Sequence, residues 1–249
     1  VIRGDTVLIQ NGRILAAGYE NEIRGQIGTS TRVIDCNGCT ILPGLADAHC
    51  HPSGAVEMTA GCDLFGIYAG DGKTADNIIE QYLGRLREYV KADDKSAVIR
   101  GSGWIFGNFT GDRIPTRHDL DRVCKDMPIV LRSFCGHVLW VNSKAMEMAG
   151  VDKNTPDVQA GKIYREEDGY PAGIFQEIEA KKLIEKNLPG YALSVDEYKE
   201  RLLRYQRDFA NKYGVTMIQD CAYNANAVEA YRELAEEGRL TARFRSVYL

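Results

Sequence analysis

Ile41-Leu42-Pro43-Gly44-Leu45-Ala46-Asp47-Ala48-His49-Cys50-His51 is the stretch on which the reading of this chain turns. Pro43-Gly44 punctuates the chain, and Leu45 to His51 then reads as a strand ended by Pro52. Residues two apart in a strand share a face. His49 and His51 therefore project together, with Asp47 two residues earlier on the same face. Strands and helices alternate after residue 45, which implies a parallel sheet. In barrels built this way the active site lies at the C-terminal ends of the strands, where the two histidines stand. Two neutral imidazoles suit a borderline divalent ion such as Zn²⁺, and Asp47 could orient one of them. An HxH triplet by itself is also met as two histidines without a metal. Its place at the change from β to β/α pattern makes it a candidate site.

On the N-terminal side the pattern is all β. Thr6-Val7-Leu8-Ile9-Gln10 and Arg13-Ile14-Leu15-Ala16-Ala17-Gly18 flank Asn11-Gly12, a type I′ hairpin signal. Arg32 to Cys36 and Thr40 to Leu42 add two more expected strands, so residues 1–44 read as a small β-sandwich module. Cys36-Asn37-Gly38-Cys39 has CxxC spacing, but no second cysteine pair follows at short range. Asn37-Gly38 reads as a turn carrying two plain cysteines.

On the C-terminal side, Thr74 to Ala92 reads as a helix with Thr74 as N-cap, and its apolar residues follow the 3.6 period. Ala97 to Gly101 and Pro128 to Phe134 read as strands. Thr116 to Cys124 and Asn142 to Gly150 read as short helices. Lys162 to Phe175 reads as a hairpin around Glu166-Glu167-Asp168-Gly169. Ser194 and Glu197 form a capping box for a helix running to Tyr213, closed by Gly214. Val215 to Gln219 is a strand, Ala225 to Glu237 a helix, and Ala242 to Leu249 a last strand. About five parallel strands result. A (β/α)8 TIM barrel takes about 250 residues, more than residues 45–249 offer, so an incomplete barrel is expected there.

Composition excludes several function classes. The formal net charge is −4, with Lys and Arg scattered among Asp and Glu, so no basic nucleic-acid footprint exists. No apolar run is long enough for a membrane span. The first residues have no signal-peptide pattern and no initiator Met. Seven cysteines, an odd number spread through strands and helices, favour free thiols and a cytoplasmic setting.

Five segments, in one order, carry a resemblance. Leu42 to His51 is similar to the PGxxDxHxH signature of the amidohydrolase superfamily. Gly103-Trp104 with Pro115-Thr116-Arg117-His118-Asp119-Leu120-Asp121 resembles GW…PTRxxLD. Gly136-His137-Val138-Leu139-Trp140-Val141-Asn142-Ser143 resembles GHxxWVNS, and Asp168 to Glu177 resembles DGxPxGxxxE. Gly214-Val215-Thr216 with Asp220 resembles GVTxxxD. Together they are similar to the YtcJ-like, or Amidohydro_3, branch that includes N-substituted formamide deformylase. The resemblance implies a β-sandwich joined to a metal-bearing barrel. It implies His49, His51 and Glu177 as metal ligands, with one or two ions, and His137 as a substrate-facing catalytic residue. Glu179 competes with Glu177 for the ligand role. Cys135 stands where many relatives have Asp. Asp47, Trp104 and Asp220 are expected beside the substrate or behind the ligands, although a tryptophan such as Trp104 or Trp140 is more often core and Asp220 reads equally as a buried structural carboxylate.

The activity so implied is hydrolysis of amide- or formamide-type C–N bonds, other than peptide bonds, by a metal-activated water. A deaminase of the same superfamily is the near alternative. The expected partners are a small-molecule amide and, for an oligomeric enzyme, further copies of the chain. The resemblance also calls for two later histidines and an aspartate base. All four histidines of this chain are already placed, so those residues are expected beyond Leu249. The span alone is then expected to be inactive, or to be a non-catalytic piece needing a partner.

Overall fold

Asn11 and Gly12 take φ of 50° and 73°, as a type I′ turn requires. They join β1 (Thr6–Gln10) to antiparallel β2 (Arg13–Gly18). A single helical turn, α1 (Glu20–Ile23), follows, and the Glu20 N–H donates to Asp5 Oδ1 at 2.7 Å. This computed structural model describes residues 4–70, 72–92, 96–109, 113–221 and 224–246. The chain divides into two compact units, Val1–Pro43 and Gly44–Leu249.

The strands expected over 32–36 and 40–42 do not form. Only the β1–β2 pair exists among the described residues of the first unit. A strand needs a neighbour to satisfy its backbone groups, and none stands beside these segments. Val33, Ile34, Ile41 and Leu42 are accordingly exposed.

The second unit runs β3 (Leu45–Cys50), α2 (Pro52–Met58), β4 (Cys62–Asp63), α3 (Ala75–Ala92), β5 (Ile99–Trp104), α4 (Arg117–Asp121) and β6 (Ile129–Ser133). It continues with β7 (Val138–Val141), α5 (Ser143–Ala149), β8 (Lys162–Arg165), β9 (Pro171–Gln176), α6 (Glu177–Glu185), α7 (Val195–Tyr205), β10 (Val215–Asp220), α8 (Ala225–Glu236) and β11 (Arg243–Ser246). Two sheets result. One has the order β11-β10-β3 and is parallel; the other has the order β4-β5-β6-β7-β9-β8. In the larger sheet β4, β5 and β6 are parallel, whereas β7, β9 and β8 alternate in direction. The architecture is α/β, with one parallel and one mixed sheet among the described residues.

This differs from one run of parallel strands, and loop length is the reason. Only residues 134–137 separate β6 from β7, with Gly136 at φ 77° and its N–H on Ser133 O. A parallel return needs a crossover of a dozen residues or more, so β7 must come back antiparallel.

Alternate residues of β6 serve opposite faces. Leu131 packs with Trp104, Trp140 and the α3 stripe Ile78, Tyr82 and Leu86, while Val130 packs with Phe175, Met146 and Ile184. Each fully buried Leu or Ile contributes about 1.5–3 kcal/mol. Asn142 ties the layers together. Its Oδ1 accepts from Ile129 N and Ala145 N at 2.9 Å, and its Nδ2 donates to Cys124 O at 3.0 Å and Met127 O at 2.9 Å. All four of its side-chain bonds go to backbone.

The capping box of α7 forms, with Ser194 N donating to Glu197 Oε2 at 2.8 Å and Glu197 N donating to Ser194 Oγ at 3.2 Å. The helix does not run on regularly to Tyr213. It widens into a π-helical turn over Gln206–Asn211. There Gln206 is buried; its Oε1 accepts from Thr241 N at 2.7 Å and its Nε2 donates to Arg239 O at 3.1 Å. Among the described residues no helix is long and apolar enough to cross a membrane.

Candidate active site

β3 delivers the histidine pair. The His49 and His51 rings stand edge to face, with centroids 5.2 Å apart. The His49 N–H donates to Asp47 Oδ1 at 3.2 Å, and both imidazoles are exposed. Parallel pairing of β10 with β3 sets Asp220 opposite Cys50. The chain leaving β10 then passes the histidines. Cys221 O lies 3.3 Å from His51 Nδ1, and Cys221 Sγ lies 3.9 Å from His49 Nδ1.

Asp220 sits beneath this group and is fully buried. Its Oδ2 accepts from Ser53 N at 3.0 Å and from the Tyr231 hydroxyl at 2.8 Å. Its Oδ1 has no hydrogen-bond partner among the described residues. Burial pushes the Cys50 thiol up to about 12, and the Asp47 and Asp220 carboxylates push it the same way.

A second pair forms at the end of the larger sheet. Val138 of β7 pairs with Gln176 of β9, so the residues just outside that rung, His137 and Glu177, meet. Glu177 Oε2 lies 3.0 Å from His137 Nδ1, and the Glu177 N–H donates to His137 O at 2.8 Å. Glu177 adopts φ 66°, a left-handed conformation that costs a non-glycine residue about 1–2 kcal/mol. One turn later Lys181 is buried and donates to Gly136 O at 2.6 Å. Burial lowers its pKa, with Glu185 acting in the opposite direction.

The two pairs do not merge. Among the described residues no three His, Cys, Asp or Glu side chains converge into a group able to hold a metal ion. Glu177, expected as a ligand with His49 and His51, is placed beside His137 here and not grouped with the histidine pair. Among the described residues no ladder links the sheet holding β3 to the sheet holding β9. The imidazole pair supplies two donors of the right chemistry, one short of a typical catalytic zinc site. Trp104 takes the core position that is the other reading of this residue. It is wholly buried between Trp140, Phe106 and Phe109, with Nε1 donating to Leu131 O at 3.1 Å.

A model of the amidohydrolase family matches residues 32–247. The chain belongs to the amidohydrolase family. Its relatives include the putative amidohydrolase YtcJ of Bacillus subtilis, 32% identical over 188 residues, which covers 75% of this chain and 34% of the relative. The N-substituted formamide deformylase of Arthrobacter pascens is 28% identical over 234 residues, covering 94% of this chain and 42% of that enzyme. Among solved structures, an uncharacterized metal-dependent hydrolase from Pyrococcus horikoshii superposes with a TM-score of 0.66 at 22% identity, over 97% of this chain and 44% of that one. The chain thus spans between about a third and a half of the length of these relatives.

Within this chain, sequence reading missed Cys221 and Lys181 as neighbours of the two pairs, and Ser53 and Tyr231 as partners of Asp220. Cys221 directly follows Asp220, so the strand end that carries one carries both. Lys181 stands four residues after Glu177, the spacing that puts two helical side chains on one face. Ser53 and Tyr231 carry no sequence signal for their shared partner. Only the register of β10 against β3 brings Asp220 to them.

Proposed function

We propose that this family member hydrolyses amide-type C–N bonds of small molecules, other than peptide bonds, and that residues 45–249 are the first part of a (β/α)8 barrel. The side-by-side placement of His49 and His51 at the end of β3 carries this reading. These two imidazoles would hold a divalent ion, with zinc the metal their chemistry suits. Such an ion, when bound, lowers the pKa of a water to about 7 and polarises a carbonyl. Asp47 fixes the backbone between the ligands by accepting from His49 N. His137, exposed and oriented by Glu177, is the donor we assign to the carbonyl oxygen as negative charge develops there. Seven cysteines without a disulfide support a cytoplasmic setting.

The test is replacement of His49 or His51 by Ala, followed by metal analysis and an assay on N-formyl and N-acyl amides. Metal content and turnover are expected to fall together. Unchanged metal occupancy in both variants would reject the assignment.

A further inference from the structure

Cys36 and Cys39 are not among the residues assigned to the hydrolytic site, and the geometry of the segment that carries them has a use of its own. Asn37 and Gly38 adopt φ of 47° and 77°. The Cys39 N–H donates to Cys36 O at 2.9 Å, closing a tight turn with both central residues left-handed. The Asn37 N–H donates to Asp35 Oδ1 at 2.8 Å and pins the start of that turn. Asn and Gly are the residues that take this conformation with least strain, so the turn is built into the sequence. Flanking Cα atoms lie less than about 7 Å apart across a β-turn, and a disulfide spans about 4.4–6.8 Å. Both thiols are free and exposed.

We propose that Cys36 and Cys39 form a thiol–disulfide exchange site for low-molecular-weight disulfides such as glutathione disulfide. In the forward direction the thiolate of one cysteine attacks a sulfur of glutathione disulfide and releases one glutathione thiolate. The second cysteine, deprotonated, then attacks the protein sulfur of the mixed disulfide and releases the other glutathione. Two electrons pass from the cysteine pair to the small disulfide, which leaves as two thiols, and the two protein protons go to those thiols. Reduced glutathione reverses both steps. An exposed disulfide across so short a ring belongs to the labile, exchangeable kind.

The test is equilibration of the protein with a series of glutathione redox buffers, acid quenching, alkylation and peptide mapping by mass spectrometry. Cys135 is an internal reference, being exposed with no cysteine three residues away. Cys36 and Cys39 are expected to end as one cross-linked peptide two hydrogens lighter, while Cys135 stops at the glutathione adduct. Cys36→Ser should convert Cys39 to a stable adduct, and Cys39→Ser the reverse. Gly38→Val strains the turn without touching a thiol, and should lower the equilibrium constant for ring closure by about tenfold. Unfolding in urea should lower it similarly. The proposal is overturned if Cys36 and Cys39 stop at separate adducts or stay reduced. It is equally overturned if neither Gly38→Val nor urea changes the constant, since the folded turn would then contribute nothing.

Discussion

Glu177 holds His137 at two points, through its carboxylate on the ring nitrogen at 3.0 Å and through its own N–H on the His137 carbonyl at 2.8 Å. The backbone that allows both is left-handed at Glu177, φ 66°. Strain of this kind clusters where side chains must be aimed. The Glu177→Gly chain should therefore be more stable than the Glu177→Ala chain by about 1 kcal/mol, because both lose the carboxylate but only glycine relaxes the backbone. Urea denaturation midpoints of the two variants check this. Equal midpoints would mean that the left-handed backbone carries no strain.

Asn142 makes four hydrogen bonds to four different backbone groups in a fully buried setting. Removing the side chain leaves two N–H and two C=O groups without partners. We expect Asn142→Ala to cost about 3 kcal/mol or more. Asn142→Asp should also be destabilising, because the Cys124 and Met127 carbonyls would then face a carboxylate. A loss below about 1 kcal/mol for the alanine variant, within the range of an ordinary surface change, would contradict this account.

Much of this scaffold was legible beforehand. Thr74, Asn142, Ser194 and Gly150 mark helix ends because cap chemistry is local, and Asn11-Gly12 marks a hairpin for the same reason. The pair His49–His51 was legible because a strand repeats every two residues. The pair His137–Glu177 was not, since it depends on the Val138–Gln176 register, which joins segments some 40 residues apart. β7 is a four-residue apolar run that periodicity cannot assign, yet the short link from β6 already fixed its direction. Segments 32–36 and 40–42 have strand composition but no neighbouring strand, and composition alone forms no ladder.

Alkaline stability follows from Cys62. Burial, then the nearby Asp63 carboxylate, raises its thiol from 9.0 to about 11. Above pH 9 the unfolded chain releases this proton while the folded chain keeps it, so stability falls as pH rises towards 11. The loss from this one group should reach about 1 kcal/mol by about pH 10. Cys62→Ala should be less stable at neutral pH but should show a flatter profile between about pH 8.5 and 10, read from denaturation midpoints. A slope identical to that of the parent chain would show that Cys62 does not couple to folding.

Metal retention by the 249-residue chain is expected to be weak. Two imidazoles meet at the end of β3, and among the described residues no group of three His, Cys, Asp or Glu is placed to hold a metal ion. A catalytic zinc typically takes three protein ligands and a water. Zinc added to this chain should be lost on desalting, and turnover of N-formyl amides should stay near background. Stoichiometric retention that disappears in His49→Ala would show that another side chain swings in to complete the site.

The π-helical turn at Gln206–Asn211 bears on how this stretch of the chain tolerates a change in length. A π-turn holds one residue more than an α-turn, so an inserted residue can be absorbed by widening a single turn. Here the widened turn also aims Gln206 at the backbone of Arg239 and Thr241. Deleting one residue between Gln206 and Asn211 would continue α7 in regular phase and release that clasp, leaving the segment before β11 to its ladder alone.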